Sequence, residues 1–185
     1  MAYSANDIAS YILQLSEENG DEITPLKLEK LLYYAQGTFL ALKHEALFDD
    51  EVLAWKHGPV IYSIYKKYQR YGDSPIPKEG KISGLDEQTE AILSAVYAKY
   101  RGFSPWQLVD KTHREAPWKD AGMNDVITSE SIRRYFEDEI LSTAFHDVPA
   151  GEAFPKEWYD SDEDAEWEND LSTGGETDKA NRRLA

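Results

Sequence analysis

Apolar residues recur at three- and four-residue intervals along most of the first 145 positions, and recognisable start and stop residues bracket the runs. Ile8, Tyr11, Ile12 and Leu15 make the first stripe of an amphipathic helix. Ser4 caps it, with Asp7 three residues on in a capping-box-like arrangement, Asp standing in for Glu. Asn19-Gly20 stops it. The next run is the clearest. Thr24 is an N-cap, Pro25 takes the first helical position, and Ile23 and Leu28 are spaced as a hydrophobic staple. Leu28, Leu31, Leu32 and Ala35 form its stripe, continued by Phe39 and Leu40. Gly37 sits inside this helix, where it is less favourable than Ala by about 1 kcal/mol. Close approach of a neighbouring helix is the expected reason.

A linker follows in which Leu47-Phe48 and Val52-Leu53-Ala54-Trp55 can each bury one side of a turn or short strand. Gly58-Pro59 punctuates it. The pattern predicts a third helix over 59–71, with Val60, Ile64 and Tyr68 inward and Gly72 as its end. Residues 73–84 hold two Pro and two Gly and read as an exposed loop. A fourth helix is predicted over 86–100, with Ile92, Leu93, Val96, Tyr97 and Tyr100 inward. Ser104-Pro105-Trp106-Gln107 starts a short fifth helix that ends near His113, and a last one begins at Thr128 or Ser129, burying Ile132, Tyr135, Phe136 and Ile140. No stretch alternates long enough to require a sheet. The predicted fold is all-α, a compact bundle of five to seven helices. No apolar run is long enough to span a bilayer, and the opening MAYSANDIA lacks the basic start and apolar run of a secretory signal. A cytoplasmic protein with no membrane partner is expected.

Charge changes the picture at the C-terminal end. The formal net charge is -15; residues 146–185 hold twelve acids and four bases, contributing -8 and leaving -7 to the body. Two parts are therefore expected: a helical domain, 1–145, and an acidic, flexible tail, 146–185. Phe154, Trp158, Tyr159, Trp167 and Leu171 interrupt the acid, with Phe154/Trp158 and Trp167/Leu171 each four apart. That spacing suits a segment that folds on a partner through aromatic anchors, the acids steering it toward a basic groove; the alternative is a solubilising tail whose aromatics pack back on the body. The terminal Arg182-Arg183-Leu184-Ala185 could serve as a protease-recognition tag. The overall acidity argues against direct nucleic-acid binding, which relies on Lys and Arg to neutralise phosphate. One segment runs the other way: Tyr65-Lys66-Lys67-Tyr68-Gln69-Arg70-Tyr71 is basic and aromatic, either a nucleic-acid contact or, as the acidic total favours, one helix with a solvated cationic face.

Nothing in the residue pattern points to catalysis. The sequence holds no cysteine, no paired-histidine metalloprotease motif, no phosphate-binding glycine loop and no nucleophile elbow, and its four histidines are scattered. No catalytic residue, cofactor or metal is expected. His113 can face a partner groove beside Trp118, or it can satisfy a helix end or loop carbonyl in the core.

Three segments together resemble a known family. They are TPLKLEKLLYYAQG from Thr24 to Gly37, AWKHGPV from Ala54 to Val60, and THREAPW from Thr112 to Trp118. In this order they resemble the Panacea (SocA-like) antitoxin domain over roughly the first 140 residues. The resemblance implies a helical domain of bacterial and phage genomes that neutralises a protein toxin by direct contact. It implies a toxin encoded by an adjacent gene, often one that blocks translation; the acidity of the chain suits a toxin with a basic RNA-binding surface. One branch instead delivers the toxin to a cytoplasmic protease as an adaptor; a transcription regulator is a further alternative, which would need a basic recognition helix. Trp55, Gly58, Pro59, His113 and Trp118 are the family-motif positions, structural or partner-facing.

Overall fold

The computed structural model describes residues 2–77 and 84–144. Helix α1 (Ala5–Glu18) begins where the Ser4 hydroxyl accepts the Asp7 amide, and ends at Asn19 and the left-handed Gly20. Helix α2 (Pro25–Lys43) begins at Thr24, whose hydroxyl accepts the Lys27 amide, with Pro25 in its first turn. It is the central helix of the described helical domain. Every residue from 25 to 37 is buried, so α2 has no solvent face there, and α1, α4, α5 and α7 pack around it.

A helix buried all round must satisfy its polar residues internally. Gln36 does so by clamping the linker: its amide nitrogen donates to the Phe48 carbonyl at 3.0 Å, and its oxygen accepts the amides of Leu47 (2.9 Å) and Phe48. This holds Leu47 and Phe48 in the core.

The chain is not all-α. Strands β1 (Val52–Trp55) and β2 (Gly58–Ile61) form an antiparallel hairpin around a Lys56-His57 turn, with Trp55 opposite Gly58. Strand β3 (Val126–Ile127) pairs antiparallel with β1 on the other side, giving the order β2-β1-β3. Pro59 lies within β2 and does not open a helix. It tolerates that place because β2 is an edge strand, where a missing amide is not needed by a neighbour. Helix α3 is accordingly short, Tyr62–Tyr68, tightening into a 3-10 turn over Gln69–Tyr71. One sheet face (Val52, Ala54, Ile61, Ile127) is buried against the helices.

Helix α4 (Glu87–Tyr100) is capped by Asp86, and α5 (Pro105–Arg114) opens with a complete Ser104/Gln107 capping box. Glu115 separates α5 from a one-turn helix, α6 (Ala116–Asp120). The last helix, α7 (Ser129–Ala144), buries Ile132 and Phe136, with Tyr135 partly buried. Phe136 explains Gly37. A Cβ on Gly37 would overlap the edge of the Phe136 ring, with even its Cζ only 2.6 Å away. The helices cross at the one position that has no side chain. No helix among the described residues is long and apolar enough to cross a membrane. The acidic segment 146–185, with Phe154, Trp158, Tyr159, Trp167 and Leu171, and the terminal Arg182 to Ala185 lie outside the described residues.

Candidate functional site

The five motif positions within the described residues meet at one junction, where the α5–α6 corner clasps the β1–β2 turn. The Trp118 indole donates to the Trp55 carbonyl at 2.9 Å, tying α6 to the end of β1. Trp118 also stacks on His113, ring centroids 3.9 Å apart and planes 19° from parallel. The His113 imidazole donates to the backbone carbonyl of Lys56 in the turn, while its Nε2 is buried without a hydrogen-bond partner. Burial, with the Lys30 charge nearby, lowers its pKa to about 4, so it stays neutral at pH 7. His57, the other turn residue, is buried edge-on to Trp106 at 5.3 Å.

Gly58 has φ +96°, open to glycine and strained for other residues. It also has no room: a Cβ there would lie 2.7 Å from Thr112 Oγ1 and 2.8 Å from Lys30 Cε. The close approach brings the strand onto α2, where Lys30 Nζ donates to the Pro59 carbonyl at 3.0 Å. One residue earlier, Glu29 accepts the Ile61 amide at 2.8 Å. Glu29 and Lys30 thus hold β2 from below by its backbone, at either end of Pro59-Val60-Ile61. Both are fully buried. Burial raises the Glu29 pKa and lowers that of Lys30, each opposed by the charge of the other.

Glu115 completes the junction. It accepts the Tyr34 hydroxyl at 2.9 Å and lies 3.5 Å from Lys111 Nζ. The Tyr33 hydroxyl lies close to the same carboxyl. Burial pushes Glu115 up to about 7 despite Lys111 and the tyrosine. The residues that sequence reasoning passed over are therefore Glu29, Lys30, Thr112 and Glu115. All four stand inside the motif segments; the one local signal was the Glu29-Lys30 pair set between Leu28 and Leu31, whereas Thr112 and Glu115 have charged or polar neighbours and gave none.

This arrangement is built to fix geometry. Its polar groups grip backbone, its aromatics interlock, and two acids, one lysine and two histidines are withdrawn from solvent. Among the described residues, no three His, Asp or Glu side chains are placed to hold a metal ion.

The family described as "Antitoxin SocA-like, Panacea domain" matches residues 28–119, from within the first turn of α2 to just past the Trp118 clasp. Antitoxin SocA of Caulobacter vibrioides (strain NA1000 / CB15N) is 30% identical over 127 residues, covering 62% of this chain and 68% of that protein. The chain belongs to the SocA-like Panacea antitoxin family. No solved structure matches it. The matched span of this Panacea domain contains the whole junction: Glu29 and Lys30, the hairpin with Gly58 and Pro59, and the α5–α6 corner with His113, Glu115 and Trp118. Strand β3 and helix α7 lie beyond the matched residues, although Phe136 of α7 fills the space at Gly37.

Proposed function

We propose that this protein is an antitoxin that neutralises a co-encoded protein toxin by binding it directly, acting as a binding protein and not as an enzyme. The observation that carries the reading is the coincidence of the family match with the junction. The matched residues assemble one scaffold, gripped through backbone, that presents the sheet and α3 at a fixed angle. A scaffold of this kind binds with little ordering cost, because the groups that position its surface are already locked. The net charge of -15 further suits a toxin with a basic RNA-contacting surface, which an acidic protein would both attract and cover.

The test is a growth assay. The neighbouring open reading frame is expressed alone, with the full chain, and with a Gly58→Ala chain whose scaffold is disturbed. Toxicity relieved by the full chain, with purified toxin and antitoxin co-eluting and the toxin level unchanged, is the expected result. Relief accompanied by disappearance of the toxin would replace inhibition with delivery to a protease. A harmless neighbour, or a toxin that does not associate with the chain, would end the reading.

A further inference from the structure

The outer face of the small sheet is apolar, and its cover gives out toward one edge. Val60, Leu53 and Val126 stand side by side across β2, β1 and β3 on this face. Val60 is buried, Leu53 half-buried, and Val126 is 42% exposed. Along β1 the same face continues to Trp55, also half-buried, whose ring meets Tyr65 at 4.9 Å and Tyr62 at 6.4 Å. Tyr62 is 45% exposed, and Met123, beside the Asn124 that bonds the Ala54 carbonyl, is exposed too. Most of the large apolar side chains exposed among the described residues are thus on or next to one small sheet.

The charge of this region opposes that of the chain. Residues 52–72 contain four bases, Lys56, Lys66, Lys67 and Arg70, and no acid, within a protein of net charge -15. Lys56 is exposed in the turn next to Trp55, and Lys66 holds its ammonium 5.3 Å from the centre of the Tyr62 ring. Asp125 pairs through its backbone with Ala54 and has its carboxyl against Gly122, while the cations gather around Trp55 and Tyr62. Aliphatic Leu53, Val126 and Met123 offer nothing to a sugar–phosphate backbone, whereas they suit the apolar face of a protein segment.

We infer that this sheet face, from Val126 through Leu53 and Trp55 to Tyr62 and Lys66, is a docking surface for an acidic amphipathic segment of the protein partner. The inference rests on the antitoxin reading and deepens it. The toxin would be held in two ways: its basic surface by the acidic parts of this chain, and an acidic, apolar-studded segment by this patch. The apolar side chains would enter over Leu53 and Val126, and the carboxylates would meet Lys56 and Lys66.

The surface can be tested without the toxin in hand. A fluorescein-labelled peptide with Leu and Trp at four-residue spacing among Glu and Asp is titrated with the full chain, and anisotropy is read. A charge-reversed peptide with Lys and Arg, and a polyuridine RNA, are the comparison probes. The acidic peptide should bind in preference to both, and more weakly as salt rises. Its affinity should fall about tenfold or more in Tyr62→Ser/Val126→Thr, and likewise in Lys56→Glu/Lys66→Glu, which leaves the apolar face intact; Leu42→Ser, at an exposed apolar residue of α2, should bind as wild type. No binding of the acidic peptide, equal binding by the surface variants, or preference for the RNA would overturn the inference. Failure of the antitoxin reading would show instead as absence of growth rescue by the full chain, with peptide binding undisturbed.

Discussion

Gly37→Ala isolates the crossing of α2 and α7 in a single methyl group. In an exposed helix interior this change stabilises by about 1 kcal/mol. Here the new Cβ would penetrate the Phe136 ring, and the ring has nowhere to retreat. It is 3% exposed and held edge-on by Tyr33 at 5.6 Å, Tyr34 at 6.0 Å and Tyr135 at 5.5 Å. Overpacking a rigid core costs about 1–3 kcal/mol, and each aromatic pair loosened as the ring moves adds about 0.5–1.5 kcal/mol. Set against the propensity gain, the net loss is about 2–3 kcal/mol. Urea unfolding followed by circular dichroism reads this directly: with a slope of about 2 kcal/mol per molar, the midpoint should fall by about 1–1.5 M. Phe136→Leu, which removes the ring, should destabilise alone, and the double variant should lose less than the sum of the singles. A Gly37→Ala protein as stable as wild type, or strict additivity in the double variant, would refute the argument that this glycine exists for the ring.

Gly58→Ala should lose about 2–4 kcal/mol, because the left-handed backbone and the overlap with Thr112 and Lys30 act together; Gly20→Ala, with positive φ but open space, should lose only the backbone part, and thermal unfolding of both separates the two. Lys30→Met keeps the buried stem and should be more stable than Lys30→Ala by about 2 kcal/mol or more, measured by urea titration. Glu115 is raised to about 7, so its contribution to stability is complete below about pH 4.5 and is lost as pH rises toward 7; Glu115→Gln should therefore gain stability relative to wild type across that rise. His113 is lowered to about 4, so its contribution is complete above about pH 6.5 and is lost as pH falls toward 4. His113→Phe, which keeps a ring on Trp118, should gain relative to wild type as pH falls through that window. Unfolding midpoints at a series of pH values check both signs.

The helix ends were legible because capping is a local code. Ser4, Thr24, Asp86 and Ser104 each sit one residue before a helix and each accepts an amide of its first turn. Gly37 was legible for a similar reason: a residue unfavourable in its own helix points to something outside it. The sheet was not. Its strands are four, four and two residues long, too short for alternation to outweigh the helical reading, and Gly58-Pro59 carries the same signature as a helix start. Tertiary pairing with β3, about seventy residues on, decides the matter, and no window along the chain contains both partners. The junction was half legible. Trp55, Gly58, Pro59, His113 and Trp118 were chosen from the resemblance, and the structure brings them together. Glu29, Lys30 and Glu115 were missed because a charged residue normally implies a solvated one, and only the burial of α2 over 25–37, with the α5–α6 corner packed against it through Glu115 and Tyr34, reverses that inference.

The strand order also sets a sequence of events. The β1–β2 hairpin closes across two residues and can form early, whereas the β1–β3 pairing joins Leu53 to Val126 and must wait until α4, α5 and α6 have brought the chain back. On a ribosome, Val126 emerges only after all three of those helices. The outer edge of the sheet is thus the last part of this surface to be completed during synthesis, and a nascent or clipped chain lacking β3 would carry the hairpin and its lysines but only part of the face. Whatever recognises the whole face would distinguish finished molecules from unfinished ones.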